Sequence, residues 1–279
     1  MPHRHQLKLA VLAELVGLEQ CQQGLSLKMV QKGGAVNSSY ILTTPTQCFF
    51  MKTFESDQVN QLNRKELFDV QKIIWQNGLA CEPIYLSNAH SFQLDAWVES
   101  HTLASNALGE EQKYIQLANA LSQIHRLELN GPLLDLPLQW ANYLKRLPKS
   151  NFIKEHKLAQ SLANIWYQAP KSDLVFCHND LSLQHVTVQT PPIIFDWEYC
   201  AYSNRYFDIA ACIEVNQLNG HQQESLLVQY AKLSNVALDI LTEKVNDMLP
   251  LVNLTSHLWY CAADAVGNLQ RSSADKISG

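Results

Sequence analysis

The sequence lacks several features that would direct it to a membrane or to nucleic acid. Its apolar runs all fall short of the ~20 residues that a transmembrane helix needs. Its basic residues form no cluster, and a net charge of -5 argues against general nucleic-acid binding, which normally needs a basic face. We therefore expect no nucleic-acid partner and no insertion into a membrane.

The sequence also shows no C-x-x-C pair and no pattern typical of a signal peptide. The seven cysteines are scattered, odd in number and without a C-x-x-C pair, a pattern typical of a reducing compartment where cysteine serves as a small buried hydrophobe. The apolar segment Leu7–Leu18 contains Lys8 and Glu14 and no small-residue cleavage pattern, so it predicts no signal peptide. We expect a cytoplasmic protein. Its 279 residues, 47% hydrophobic and 17% charged, allow one or two ordinary globular domains.

Two acidic residues each end a short apolar run in the second half of the chain. Asp180 follows the run 174–177 by way of a His-Asn dipeptide, and Asp196 directly follows the run 193–195. Two short strands would place these carboxylates side by side at one edge. Such a pair suits phosphoryl transfer, because one carboxylate can accept the proton of an attacking hydroxyl while the other holds a metal ion.

The segments around both residues resemble the kinase-like small-molecule phosphotransferases, which include choline and ethanolamine kinases, thiamine kinase and aminoglycoside phosphotransferases. The sequence HNDL at 178–181 is similar to their catalytic loop. The sequence FDWEY at 195–199, followed by Asn204 and FDIA at 207–210, is similar to the metal-binding segment of the choline and thiamine kinase branch. The resemblance implies transfer of the γ-phosphate of ATP to a hydroxyl of a small metabolite, with Asp180 as base and Asp196 as metal ligand.

One position departs from the family pattern. The family has asparagine five residues after the catalytic aspartate, where it helps to hold magnesium, and this chain has His185. The resemblance implies that Asp196 and His185 hold Mg²⁺. Because imidazole suits manganese or zinc better than magnesium, Mn²⁺ is an alternative. If His185 does not support the metal, the chain is a nucleotide-binding pseudokinase, although retention of the base favours an enzyme. A two-His-one-carboxylate iron site of His178, Asp180 and His185 is a further alternative.

A three-stranded meander is predicted over residues 25–54, with its glycines between the first two strands. Gly33, Gly34, Asn37 and Tyr40 match the family pattern G-G-x-x-N-x-x-Y. Glycine lets backbone N–H groups approach a phosphate closely, so the resemblance implies that this loop, with Ser38, binds the nucleotide. An ordinary hairpin is the alternative, since many hairpins carry a Gly-Gly pair.

Lys52 lies in the third strand, on the face that it shares with Phe50 and Phe54, which is unsuited to a solvated lysine. Glu66 lies on the apolar face of the following helix, where a carboxylate is costly unless it is paired. That face consists of Val59, Leu62, Val70 and Ile73. We expect a Lys52–Glu66 ion pair that places Lys52 on the α- and β-phosphates of the nucleotide. The alternatives are a solvated Lys52 and a Glu66 at the edge of the stripe.

The order of the elements and the resemblance predict an α+β, bilobal, protein-kinase-like fold: an antiparallel N-terminal sheet with a helix, then a mostly helical C-terminal lobe. The division is a nucleotide-binding lobe at 1–98, a hinge at 99–102 and a catalytic, acceptor-binding lobe at 103–279. The adenine is expected against the hinge backbone at Glu99. His125, near the end of an amphipathic helix at 110–127, is interpreted as a buried structural histidine, and Asp208 as the cap of a helix beginning near Ile209.

Aromatic residues near a carboxylate predict the acceptor site. Trp197 and Glu198 follow the metal ligand, and Trp259 lies on a late helix. Aromatic faces with a carboxylate suit a small organic cation such as choline, ethanolamine or the thiazolium of thiamine, so we expect these residues to bind the acceptor, unless the aromatic rings fill the core. An aminoglycoside would call for a denser acidic lining. The identity of the acceptor, the choice between ATP and GTP and the oligomeric state stay open.

Overall fold

The computed structural model describes residues 9–30, 37–54, 57–105 and 107–277, with no side chain described at position 58 or from 267 onward. Within these ranges the chain forms an antiparallel N-terminal sheet with flanking helices, followed by a mostly helical C-terminal part. The fold class expected from the sequence is therefore confirmed. Gly33 and Gly34 lie outside the described residues.

The N-terminal sheet is built from hairpins, so sequence neighbours pair antiparallel. The predicted meander is confirmed, and β5 then inserts between β3 and β4 to give the strand order β1-β2-β3-β5-β4. The strands are β1 (Ser26–Met29), β2 (Ser38–Thr43), β3 (Cys48–Thr53), β4 (Pro83–Leu86) and β5 (Phe92–Ala96).

The two faces of this sheet have different roles, because successive side chains of a strand point to opposite faces. One face carries Phe49, Met51 and Leu94, which pack with Val11 and Leu15 of helix α1 (Leu9–Gly17) into a small apolar core. The register pairs Lys52 with Gln93 and Phe50 with Asp95, so these residues share the other face. Lys52 is thus directed away from the apolar core under α1.

The helical segment after β3 is interrupted, and this corrects the predicted apolar stripe. A short helix α2 (Asp57–Asn60) ends before Gln61, which has a left-handed φ of 52°, and helix α3 (Arg64–Gln76) begins anew after Asn63 caps its first turn. Residues before and after the break do not share one helical face. The buried residues of α3 are Arg64, Phe68, Val70, Gln71 and Ile74, whereas Ile73 is exposed.

The C-terminal part is a set of helices around one apolar core. Helix α4 buries the predicted face of Tyr114, Leu117, Ala118, Leu121 and Ile124 and packs on α8, while α7 packs on α9. The helices are α4 (Glu110–Ile124), α5 (Leu136–Leu144), α6 (Ile153–Gln168), α7 (Arg205–Val215), α8 (Gly220–Ser234) and α9 (Leu238–Ile277). Among the described residues, we find no helix with the length and apolar character that crossing a membrane requires.

A two-stranded ladder supports the loop that carries Asp180. Strand β6 (Leu174–Cys177) pairs with β7 (Ala201–Asn204), rather than with the run 193–195. That run forms only isolated bridges, in which Ile194 contacts Ala80 and Val186. The expectation of a second ladder strand before Asp196 was therefore wrong.

Candidate active site

The loop after β6 is anchored from behind by a buried carboxylate. Asp208, fully buried in α7, accepts hydrogen bonds from the backbone N–H groups of His178 (3.0 Å) and Asn179 (2.6 Å). His125 contacts the same carboxylate at 2.9 Å. Burial alone would raise the pKa of Asp208, but the hydrogen bond and charge of His125 hold it below its usual range. The loop is thus fixed by an ionised group.

This anchor corrects the predicted role of Asp208. Helix α7 begins at Arg205, and its cap is Asn204, whose side chain accepts from the backbone N–H groups of the next turn. Asp208 therefore lies inside the helix and is free to bond the loop. His125 also contacts the Tyr230 hydroxyl at 2.7 Å, which confirms its interpretation as a buried structural histidine.

His178 holds the loop against the segment that carries Asp196. Its Nε2 donates to the carbonyl oxygen of Phe195 (2.9 Å), and its Nδ1 accepts from the backbone N–H of Asp180 (3.3 Å). Burial, followed by the neighbouring His185, lowers the pKa of His178 to about 4, so the ring is neutral near pH 7. Its contacts are those of an architectural residue.

Asp180 lies among negative charges. Burial raises its pKa to about 8, and the carboxylates of Asp196 and Glu198 add to this effect. A carboxyl group whose pKa lies near neutrality can exchange a proton with a reacting hydroxyl at physiological pH. Asp180 therefore has the electrostatic setting of an acid–base residue.

Asp196 is held in an unusual backbone conformation beside a lysine. Its φ of 65° is left-handed, which a non-glycine residue adopts only where the surrounding structure requires it. Its Oδ1 accepts from Nζ of Lys52 at 2.5 Å. Burial alone would raise the pKa of Asp196, but Lys52, followed by His185, lowers it below its usual range. Asp196 is consequently ionised.

Lys52 pairs with Asp196 and Glu198 rather than with Glu66, so the predicted Lys52–Glu66 ion pair was wrong. The distances from Nζ are 2.5 Å to Asp196 and 3.2 Å to Glu198. Glu66 lies in the first turn of α3, where it accepts from the side chain of Asn63 at 3.2 Å. The reason is the break between α2 and α3. Because α3 begins anew at Arg64, Glu66 does not lie on one helical face with Leu62, and its side chain is half-buried.

The carboxylate of Glu198 contacts three side chains of the N-terminal part. It accepts hydrogen bonds from Asn37 (3.1 Å) and Arg64 (3.0 Å), and it forms an ion pair with Lys52 (3.2 Å). Because these contacts engage the carboxylate of Glu198, it is not available to bind an acceptor cation. This corrects the expectation that Glu198 binds the acceptor. The sequence signal that was missed is Arg64, the buried cation of α3.

His185 faces Asp196 with a nitrogen that carries no proton in the neutral ring. Its Nδ1 lies 3.0 Å from the carbonyl oxygen of Asp180, which can only accept, so Nδ1 is the donor. Its Nε2 lies 3.6 Å from Oδ2 of Asp196. In the neutral ring, the lone pair of Nε2 therefore faces a carboxylate oxygen, and this pair of atoms suits a cation between them.

The aromatic residues expected at the acceptor site have different environments. Trp197 is buried, donates its indole N–H to the Ile194 carbonyl (2.8 Å) and contacts the ring of Phe176. It fills the core, which corrects its assignment to the acceptor. Trp259 is half-buried on α9, and its buried indole nitrogen has no hydrogen-bond partner among the described residues. Its role in acceptor binding stays a prediction.

A polar connection near the site was not anticipated from the sequence. The Asn60 side chain donates to the hydroxyl of Tyr199 (3.0 Å) and accepts from that of Tyr143 (2.9 Å). Burial, followed by the charge of Glu198, raises the pKa of Tyr199. Tyr199 therefore stays a neutral hydroxyl beside the carboxylates, and it links α2 to the C-terminal part.

On the nucleotide side, the structure describes three of the predicted residues besides Lys52. Asn37 bonds Glu198, Ser38 begins β2 with its carbonyl accepting from Thr53 (3.2 Å), and Glu99 is exposed in the segment after β5. The roles of these residues in binding a nucleotide stay predictions, as do those of Gly33 and Gly34.

Comparison with known proteins gives one family and several similar structures. A family model described as "Phosphotransferase enzyme family" matches residues 30–239. The LicA protein of Haemophilus influenzae is 26% identical over 212 residues, covering 73% of this chain, and the chain spans 62% of that relative's length.

Two solved structures share the fold. A choline/ethanolamine kinase family protein from Mesorhizobium loti is similar with a TM-score of 0.68 and 16% identity, over 96% of this chain and 87% of that one. A structure of LicA in complex with AMP gives a TM-score of 0.63 at 16% identity, over 88% and 92% of the two chains. At these identities the likeness concerns the fold.

Proposed function

The chain belongs to the phosphotransferase enzyme family, and we propose that it transfers the γ-phosphate of ATP to a hydroxyl group of a small cationic metabolite. The observation that carries the proposal is the convergence of Lys52, Asp180 and Asp196, which come from three separate segments. A cation for the phosphates, a carboxylate for a metal and a second carboxylate for proton transfer are the groups that phosphoryl transfer requires.

In this proposal Asp180 orients the acceptor hydroxyl and accepts its proton as the oxygen attacks phosphorus. Burial raises its pKa to about 8, so its carboxylate form is a stronger base than an ordinary aspartate and takes up the proton of the hydroxyl more readily. Asp208 and His178 fix the backbone of the loop, so that Asp180 does not have to be ordered when substrate binds. Lys52 would hold the phosphates of the nucleotide.

A divalent metal ion fits the donor set of Asp196 and His185. Asp196 is ionised, and Nε2 of His185 lies 3.6 Å from its Oδ2. The hydrogen bond of Nδ1 to the carbonyl of Asp180 orients the ring as in known histidine metal ligands. When bound, the ion supplies positive charge that neutralises the phosphate oxygens. One nitrogen ligand favours manganese relative to an all-oxygen site.

The acceptor class rests on the relatives and on two aromatic residues. A similar structure is described as a choline/ethanolamine kinase family protein. Tyr199 lies near the carboxyl groups of Asp180 and Asp196, and the half-buried Trp259 on α9 stays the second predicted acceptor residue. Aromatic rings beside carboxylates suit an ammonium group. We therefore propose choline, ethanolamine or thiamine as acceptor type, ahead of an aminoglycoside.

The test is a product assay with a panel of acceptors. Purified protein is incubated with ATP and either Mg²⁺ or Mn²⁺, together with choline, ethanolamine, thiamine or an aminoglycoside, and phosphorylated products are detected by mass spectrometry. Asp180→Asn should abolish the product, whereas Glu111→Gln, an exposed carboxylate on α4, should act like the wild type. If ATP binds and no acceptor is phosphorylated, the chain is a nucleotide-binding pseudokinase and the proposal fails.

A further inference from the structure

Glu198 is the centre of an ionic cluster that joins the two parts of the fold. It lies on the turn directly after Asp196 and Trp197, and its carboxylate forms ion pairs with Lys52 on β3 and with Arg64 at the start of α3. Asn37 donates to both of its oxygens, at 3.3 and 3.1 Å. Three donors from the N-terminal part thus converge on one carboxylate of the C-terminal part.

Arg64 is itself locked in place. Its guanidinium group is 5% exposed, bonds the carboxylate of Asp57 through both Nε and Nη2, and lies 3.8 Å above the ring of Phe54. Burial alone would lower the pKa of Arg64, but Asp57 and Glu198 raise it. A buried guanidinium costs several kcal/mol unless its N–H groups are bonded, so removal of either carboxylate disturbs the other contact.

Lys52 therefore has two carboxylate partners, and the two differ in their proposed roles. Asp196 is the proposed metal ligand, so a cation that binds it competes with Nζ of Lys52 for the same oxygens. Glu198 is not one of the proposed metal ligands, and its Oε2, which lies 3.2 Å from Lys52, is also bound by Arg64 at 3.0 Å. When a metal and nucleotide bind, Glu198 is the partner that remains to orient Lys52 toward the phosphates.

We propose that Glu198 is the positioning residue for Lys52, and that Asp57, Arg64 and Glu198 form a clasp that sets Lys52 for the nucleotide. In this proposal the clasp orients Lys52, the role that the sequence analysis assigned to Glu66, and its carboxylate comes from the C-terminal part. Nucleotide affinity then depends on how the two parts of the fold are joined. This inference rests on the proposed function.

The test is a double-mutant cycle on ATP affinity, measured by titration calorimetry with Mn²⁺ or Mg²⁺ and no acceptor. Glu198→Gln should weaken ATP binding about 10- to 100-fold, the factor that corresponds to loss of one charge-assisted hydrogen bond. In the background of Lys52→Met, the same change should have almost no effect, because the group it orients is gone. Arg64→Lys should have an intermediate effect, since it keeps the charge but not the fork of N–H groups.

Three controls distinguish a specific effect on Lys52 from misfolding or the loss of an unrelated charge. Lys65→Met removes the neighbouring cation of α3, which is exposed and pairs only with Asp69 among the described residues, and should leave ATP affinity unchanged. Thermal unfolding of each variant shows whether it is folded. The KM for the acceptor should be unchanged in Glu198→Gln, whereas a residue that binds the acceptor would raise it.

Several outcomes would overturn the inference. Additive effects of Glu198→Gln and Lys52→Met would show that Glu198 does not act through Lys52. A loss of ATP affinity in Glu66→Gln as large as that in Glu198→Gln would return the role to Glu66. If the folded wild-type protein binds no ATP with either metal, the proposed function fails and the inference with it, whereas an additive cycle in a protein that binds ATP refutes the inference alone.

Discussion

A buried carboxyl group on the sheet makes stability depend on pH in a way that can be measured. Asp95 on β5 is 9% exposed, and its Oδ1 accepts from the side chains of Gln71 (3.0 Å) and Gln93 (2.7 Å). These neutral amides offset only part of the cost of burying a charge. Burial raises the pKa of Asp95 from its ordinary value of 3.8 to about 7.

The sign of the effect follows from proton binding. Between about pH 4 and pH 7, Asp95 is protonated in the folded protein but ionised in the unfolded chain. The folded state then binds more protons, so the stability contributed by this group falls as pH rises through this window and is constant above it. One pKa unit corresponds to about 1.4 kcal/mol, which gives a cost of about 2 kcal/mol at pH 5 and about 4 kcal/mol at pH 8.

We therefore expect Asp95→Asn to gain stability relative to the wild type as pH rises. The amide keeps an oxygen that can accept from Gln71 and Gln93 but cannot ionise. Urea unfolding at pH 5 and pH 8 should show the free energy of unfolding of the variant, minus that of the wild type, rising by about 2 kcal/mol between the two pH values. Strain from the added N–H₂ group shifts both values equally.

The control is Asp69→Asn, which changes an exposed carboxylate of α3 that pairs with Lys65 on the same helix. Exposed ion pairs contribute little, so its difference from the wild type should be nearly the same at both pH values. A difference for Asp95→Asn that does not change with pH would refute the reasoning, because it would mean that Asp95 is ionised throughout in the folded protein.

Three predictions concern the candidate active site. Asp180→Asn should lose a hundredfold to ten-thousandfold in turnover while calorimetry shows unchanged ATP affinity, and wild-type turnover would exclude Asp180 as the base. Asp196→Asn should instead weaken metal-dependent ATP binding, and an affinity for ATP equal to that of the wild type would exclude Asp196 as a metal ligand. His185→Asn should keep or raise the activity measured with Mg²⁺ and lower the ratio of Mn²⁺ to Mg²⁺ activity, whereas total loss with both metals would give His185 another role.

Local patterns in the sequence predicted the elements that depend on nearby residues. The first three strands of the sheet were expected from short apolar runs between turn residues, and helix α4 from its 3.6-residue periodicity. The break at Gln61 was missed, since the apolar spacing of Val59 and Leu62 continues across it without proline or glycine. Local pattern therefore located elements better than it located the boundaries between them.

The partners of charged groups could not be predicted from local pattern. Lys52 and Glu198 are 146 positions apart in the sequence, and nothing in the surroundings of either residue identifies the other. Glu66 was the nearest carboxylate on an apparently buried stripe, so it was the simplest partner. The position of Trp197 could not be predicted from local pattern either. An aromatic residue that follows a metal ligand can pack in the core or line a binding site, and the sequence does not distinguish the two.

The charge balance of the site explains why its elements come from both parts of the fold. The carboxyl groups around Lys52 outnumber the cations, even though the raised pKa of Asp180 leaves that residue largely protonated at neutral pH. The group consists of Asp57, Asp180, Asp196 and Glu198 with Lys52 and Arg64. An excess of negative charge repels a bare nucleotide but attracts one that arrives with a divalent cation. Because the N-terminal part supplies both cations while Asp180, Asp196 and Glu198 belong to the C-terminal part, the same ion pairs hold the two parts together and, in the function proposed above, assemble the site for a metal-bound nucleotide.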